Sequence, residues 1–423
     1  MGFADRYIKK NRGEFFFEPA EFLPFKLAVV IPCFNESELR YTLYSLFECE
    51  NPGVETAVVV VVNSSENSSE EIKVQNRQTI SELCDLSLDV RCWFHLFAID
   101  VKDLPDKHSG VGWARKIGMD WAIVQFNHFE NPAGIIISLD ADSLVERNYL
   151  KAICEHFSEN QDDVAATVYF EHRHQPHEVV DDRLMKASVE YELYMRYYRN
   201  ALLYTGFPVS IYTIGSCFAV KAGGYVAQGG MNRRKAGEDF YFLHKMAVMG
   251  KIGEINTTAV YPSIRLSNRV PFGTGPALMM QLEQKSTYGN SYPLVVFGVL
   301  KDFFSSVERF YRLKDPSETY CLSENTVFVQ FCKEILLAEA LKELAGNCGS
   351  DTIFKKRFFH LFNAFNVLKW LNYSVEHGFS KTNILTESVT LLQLMGVEAP
   401  LTLTEPEIIL KLFRTQDKSR TIH

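Results

Sequence analysis

The segment Thr56–Val62 ends in five consecutive valines. An apolar run with no polar alternation suits a strand covered on both faces, which is the situation of an inner strand in a parallel sheet. Leu27-Ala-Val-Val-Ile31 is a second run of this kind. Pro32 ends it, and Leu39, Leu43, Leu46 and Phe47 then fall on one face of a helix. A third strand is expected over Trp93–Ile99, a helix through Ala114, Ile117, Trp121 and Val124, and a fourth strand over Gly134–Leu139. Strands alternating with helices through short connections predict an α/β fold, with a mostly parallel sheet flanked by helices on both sides.

Beyond this the pattern changes. Strand-like runs at Val164–Phe170 and Ile214–Val220 enclose a Tyr-rich helix expected over Asp182–Asn200. After residue 290 helical periodicity dominates, with helices expected over Thr326–Ala345 and Phe354–Val375. Thr404-Glu-Pro-Glu407 reads as a capping box opening a last helix. A chain of 423 residues exceeds one ordinary core. The expected organisation is an N-terminal extension at 1–26, an α/β domain at 27–290 and a helical region at 291–423.

Composition excludes several classes. With 44 Lys plus Arg against 52 Asp plus Glu, the net charge of -8 argues against nucleic acid as the main partner. The 32 Phe predict a phenylalanine-filled core. Nine cysteines, an odd number without C-x-x-C, argue against a disulfide framework or a zinc site and for a reducing cytoplasm. The N-terminus does not read as a secretory signal. The longest spanning candidate, Tyr292–Leu300, is half the length a membrane helix needs, so at most peripheral contact with the inner face of a membrane is expected.

Chemistry concentrates in a few places. The fourth strand runs into Asp140-Ala141-Asp142, whose carboxylates lie on one side of an extended chain, roughly 6–7 Å apart. Carboxyl ends of strands are where open α/β sheets bind ligands, and a carboxylate pair there suits Mg²⁺ or Mn²⁺ shared with substrate phosphates. Gly237-Glu238-Asp239 precedes an apolar-patterned segment, Phe240–Met249, and follows the basic run Arg233-Arg234-Lys235. Carboxylates at a helix start are favoured by its dipole, and one of them could serve as a general base. His108–Arg115 brings two glycines, Gly110 and Gly112, next to a phosphate-pairing Arg115. Arg265 and Arg269, beside Pro271–Gly275, form a second basic loop able to hold a diphosphate. His172, His174 and His177 read as part of a polar loop rather than a metal site. Neither the dinucleotide fingerprint nor a P-loop is present.

In order along the chain these pieces resemble family 2 glycosyltransferases of the GT-A, Rossmann-like fold. The carriers are Val29–Glu36, Val61–Ser65, Gly110–Arg115, Leu139–Asp142, Gly215–Val220 and Gly237–Asp239, and the resemblance runs from Leu27 to about Gly275. It implies a metal-dependent, inverting transfer of a hexosyl or N-acetylhexosaminyl group from a nucleoside-diphosphate sugar, with UDP-sugar favoured, to a carbohydrate or lipid-linked acceptor. Pro32, Asn35, Glu36, Asn63, Gly112, Arg115, Asp140, Ala141, Arg265 and Arg269 would bind the donor. Asp142, with Asp140, would hold Mg²⁺ or Mn²⁺. Asp239 would be the base, and Glu238 would position donor or acceptor groups. Asn63 departs from the Asp usual in the family, which leaves the base of the nucleotide open. With no Q-x-x-R-W and no membrane helices, a single-addition enzyme is expected rather than a processive one. The helices after residue 290 could bind acceptor, form a homodimer or rest on a membrane. Two rival readings are a nucleotidyltransferase, which lacks its glycine-rich signature here, and a non-catalytic sugar-nucleotide-binding scaffold.

Overall fold

Strands β1 (Leu27–Cys33), β2 (Thr56–Ser65), β3 (His95–Leu104) and β4 (Ile135–Ser138) form one half of an eight-stranded sheet. Its order is β3-β2-β1-β4-β7-β6-β8-β5, with β5 (Leu144–Val145), β6 (Asp163–Phe170), β7 (Phe218–Lys221) and β8 (Lys251–Tyr261). The first four strands are mutually parallel. β7 runs antiparallel between β4 and β6, β6 and β8 are parallel, and β5 closes the far edge antiparallel to β8. The fold is therefore the α/β, mostly parallel sheet flanked by helices expected from the apolar runs. In the computed structural model, residues 2–13, 16–232, 237–267, 273–283, 288–313, 323–399 and 405–420 are described.

β1 and the whole of β2 are buried at every position. Val58–Val62 register against Val29–Cys33, so the two runs without alternation lie side by side under helices. Helix α1 (Asp5–Asn11) precedes β1; α2 (Leu39–Phe47), α3 (Glu70–Ser87) and α4 (Val111–His128) follow β1, β2 and β3 in turn, and α5 (Tyr149–Glu159) follows β5. α4 approaches the sheet closely because Gly118 faces it; a Cβ there would overlap the side chains of Val30 and Val61. β3 starts two residues later than the periodicity predicts and extends to Leu104, since Trp93 and Phe94 precede the parallel pairing with Ala57. The run expected from Ile214 pairs only from Phe218.

The chain groups into two compact units. The first comprises Met1–Ser188, Thr213–Leu282 and Gln416–His423 and contains the sheet. It also holds α7 (Ala222–Gln228), α8 (Glu238–Met249) and α9 (Thr274–Leu282). The second comprises Val189–Tyr212 and Glu283–Thr415. α6 (Asp182–Tyr204) contributes to both.

The second unit is helical: α10 (Leu294–Ser305), α11 (Val307–Phe310), α12 (Thr326–Glu334), α13 (Leu337–Gly346), α14 (Asp351–Leu361), α15 (Ala364–Glu376) and α16 (Ile384–Leu394), with most of α17 (Pro406–Ser419). Its core is aromatic, as the composition implies. Phe303 packs against Phe328, Phe310 and Phe362 at centroid distances of 4.9, 5.2 and 5.3 Å, and Trp370 packs against Phe328 at 4.8 Å. Two expected long helices are each two. The first breaks at Leu336, which adopts φ 52°, and the second at Phe362–Asn363, where the Asn363 side chain caps α15 by accepting from Phe365 and Asn366. Thr404 and its capping box lie outside the described residues.

Among the described residues Cys33, Cys49, Cys217 and Cys332 are buried cysteines. Among the described residues no helix is long and apolar enough to cross a membrane.

Candidate active site

Because β1, β2 and β4 are parallel, their carboxyl ends share one edge of the sheet, and the predicted motifs meet there. Asp140 and Asp142 sit in the turn after β4, closed by the Ser143 N–H donating to the Asp140 carbonyl at 3.2 Å. Ala141 is anchored by its carbonyl, which accepts from Thr42 Oγ1 of α2 at 2.9 Å. Glu238 and Asp239 open α8, directly after Gly237 at φ 68°. Both carboxylates therefore occupy the first turn, where the helix dipole favours negative charge.

Arg115, in the second turn of α4 and 2% exposed, joins two of these places. One end of its guanidinium pairs with Asp140 and the other with Glu238. Gly215 provides the wall beside it. A Cβ on Gly215 would overlap the guanidinium, and the Gly215 carbonyl is fixed by Ser138 Oγ at 2.7 Å. Burial alone would lower the Arg115 pKa, but Asp140, Glu238 and Asp239 outweigh it and push it up, so the group stays charged.

The same neighbourhood acts oppositely on the acids. Burial raises the Glu238 and Asp239 carboxyl pKa values above the ordinary range, with Arg115 holding both down, Asp239 adding to the rise at Glu238 and Asp140 adding to it at both. Asp239 remains partly exposed, and its Oδ1 accepts from the Phe240 N–H at 2.7 Å.

A second ionic cluster lies around Arg265. Its Nη1 is 2.9 Å from Glu36 Oε1 and 3.0 Å from Glu38 Oε2, and its Nη2 is 3.0 Å from Asp142 Oδ2. Glu36 is 2% exposed and also accepts from the Glu38 N–H at 2.9 Å. Pro32 is buried within β1, and Asn35 adopts φ 48° with its N–H donating to Asn76 Oδ1 at 3.0 Å. Asn63 Nδ2 donates to the Ser109 carbonyl at 3.1 Å, tying β2 to the loop before α4. Gly112 is buried in the first turn of α4.

The predicted residues are thus gathered in two sets, Arg115 with Asp140 and Glu238, and Arg265 with Glu36 and Asp142. Arg269 and Arg233–Lys235 lie outside the described residues. Two contributors escaped the sequence reading. Glu38 shares Arg265. Gln175, from the histidine-rich loop, braces the turn by donating to the Asp142 carbonyl at 3.4 Å, and ties it to β8 by donating to the Tyr261 carbonyl at 2.8 Å. His177 of that loop stacks on Tyr41 at 3.9 Å between centroids. Among the described residues no cluster of three or more His, Cys, Asp or Glu is arranged to hold a metal. Only the proximity of Glu36 and Glu38 in sequence hinted at the second cluster.

The Glycosyl transferase family 2 model matches residues 28–223. Residues 28–223 are a family 2 glycosyltransferase domain. Sugar transfer is accordingly the activity class of this chain. Glu238, Asp239 and Arg265 lie beyond the matched segment of the glycosyltransferase domain, but fold against it.

No curated protein matches the sequence. Solved structures that resemble the fold include S. aureus TarS 1-349 at 12% identity, TM-score 0.38, over 80% of this chain and 92% of that one. The same protein in complex with UDP-GlcNAc aligns at 14% identity, TM-score 0.39, over 93% of this chain and 91% of that one. Scores this low add nothing to the family assignment.

Proposed function

We propose that the chain transfers a sugar from a nucleoside-diphosphate sugar, a UDP-sugar before others, to a hydroxyl of a carbohydrate or lipid-linked acceptor, with inversion at the anomeric carbon. The observation that carries this reading is the convergence of the Asp140–Asp142 turn with the Glu238–Asp239 helix start across Arg115. It gives a charged donor site and a candidate base at one edge of the sheet.

In this reading Asp239 removes the proton from the acceptor hydroxyl as that oxygen attacks the anomeric carbon from the face opposite the departing diphosphate. Its partial exposure leaves it accessible, and its raised pKa makes it a stronger base than a solvated Asp. Glu238, held by Arg115, fixes the start of α8 and so the direction in which Asp239 points. Pro32, Asn35, Glu36, Asn63, Gly112 and Ala141 supply the walls of the nucleotide pocket, and Arg265 and Arg269 meet the diphosphate.

Asp142, with Asp140, presents hard oxygen donors. Each already meets an arginine, so an ion held there would draw on only one or two carboxylates and complete its shell with water and donor phosphates. Mg²⁺ or Mn²⁺ held there would neutralise charge on the leaving diphosphate. A cytoplasmic enzyme, with any membrane contact peripheral, is part of this reading.

The test is Asp239→Asn. Transfer should fall by about 10²–10⁴-fold while UDP binding is kept, and the product of the native enzyme should have inverted configuration by NMR. Undiminished transfer by the variant, or retained configuration, would defeat the proposal.

A further inference from the structure

We propose that Tyr7 is a positioning residue for sugar transfer, holding the Gly229–Asn232 turn after α7 that bonds Glu238 at the start of α8. This rests on the reading of Glu238 and Asp239 as the reactive carboxylates. Tyr7 lies in the short helix α1, on the face turned toward α4. Its hydroxyl donates to Asp120 Oδ1 at 2.7 Å and accepts from Lys116 Nζ at 2.9 Å. Lys116 also reaches Asp120 Oδ2 at 2.7 Å, and the Tyr225 hydroxyl of α7 donates to Asp120 Oδ1 at 2.8 Å. Lys116, Asp120, Tyr7 and Tyr225 are 5, 5, 7 and 0% exposed. A buried ion pair capped by two phenols is a demanding way to join three helices, because loss of any member leaves charge unsatisfied.

The network touches the path to the reactive acids at a defined point. Tyr7 lies against Gly230 so closely that a Cβ there would be 2.8 Å from the Tyr7 ring carbon Cζ. The backbone of Met231 hydrogen-bonds Tyr225, and Asn232 Nδ2 donates to the Glu238 carbonyl at 2.9 Å. Gly229, Gly230 and Gly237 take φ values of 97°, 81° and 68°. Gly229 and Gly230 take the chain out of α7 at positive φ, where side chains that pack on this turn help fix its course. Tyr7 packs on Gly230 and Tyr225 bonds Met231. Lys116 follows Arg115 directly, so one turn of α4 holds Glu238 through Arg115 and Tyr7 through Lys116.

The experiment compares native protein with Tyr7→Phe and Tyr7→Ala. Hydrogen exchange is read over Gly229–Asn232, kcat as UDP release from UDP-glucose and UDP-N-acetylglucosamine, and affinity as UDP binding. Tyr7→Phe should raise exchange in that segment about tenfold. It should lower kcat about tenfold while leaving the UDP dissociation constant within about twofold. Tyr7→Ala, which also removes the ring from Gly230, should do more of each. Unchanged exchange, unchanged kcat, or an affinity loss matching the kcat loss overturns the proposal. If neither sugar is turned over, exchange alone decides. Transfer surviving Asp239→Asn would sink the base and not this latch, which is judged on the Tyr7 variants.

Discussion

At the scale of the residue, Arg115 is the cation on which the site depends. It is nearly fully buried with Glu238, itself 3% exposed, and the pair is stable only because each satisfies the other. Arg115→Met should cost about 3–5 kcal/mol in urea unfolding, well beyond an average core substitution, because Glu238 keeps its burial and loses its partner. The pH dependence follows from the same balance. A general base works only when deprotonated, so activity falls as pH drops through its pKa. Burial raises the Asp239 pKa above the ordinary 3.8. The acid limb of the kcat/KM profile should therefore lie clearly above pH 3.8, and a limb at or below it would show that Asp239 is not the titrating base. The sequence displayed both carboxylates and Arg115, but not that they pair. Arg115 and Glu238 stand 123 positions apart, and only folding brings α4 and α8 to one edge.

At the scale of the element, two features set by close approach can be tested. Gly118 lets α4 lie flush on β1 and β2, so Gly118→Ala should destabilise by about 1–3 kcal/mol through collision with Val30 and Val61. Helix propensity alone predicts the opposite sign, which makes thermal unfolding a clean discriminator. Leu336 joins α12 to α13 in a left-handed conformation while 62% exposed. Leu336→Gly should raise stability by roughly 1 kcal/mol, since it relieves the Cβ penalty and loses little burial. Periodicity joined these two helices because it registers which residues are apolar and not which backbone angle links them. It recovered the strands of the parallel half well, because burial on both faces writes itself into consecutive positions. β5, of two residues, left no such mark.

At the scale of the whole molecule, the family 2 domain accounts for residues 28–223, and the helical unit draws together Val189–Tyr212 and Glu283–Thr415. That unit buries Glu192 completely between Arg196 and Arg414, at 2.7 and 2.6 Å, so a residue of α6 is fixed by one more than two hundred positions later. Ligand linkage provides the global test of donor binding. UDP at about a hundred times its dissociation constant should stabilise the protein by about 2.7 kcal/mol, and Mn²⁺ should strengthen the effect if Asp142 holds a cation with the diphosphate. The same stabilisation with and without Mn²⁺ would remove the metal from the proposal.

The amino-acid sequence by itself determined the parallel sheet, the order of its motifs and the chemical character of the site, because burial and helix starts are local and leave local patterns. It also determined that the region after residue 290 would be helical and that the chain would bury a core rich in phenylalanine. Tertiary structure alone decided that Arg115 spans Asp140 and Glu238, that Arg265 gathers Glu36, Glu38 and Asp142, and that Tyr7 reaches Gly230. Charge partners are chosen by distance and burial after the elements pack, and neither quantity exists along an extended chain.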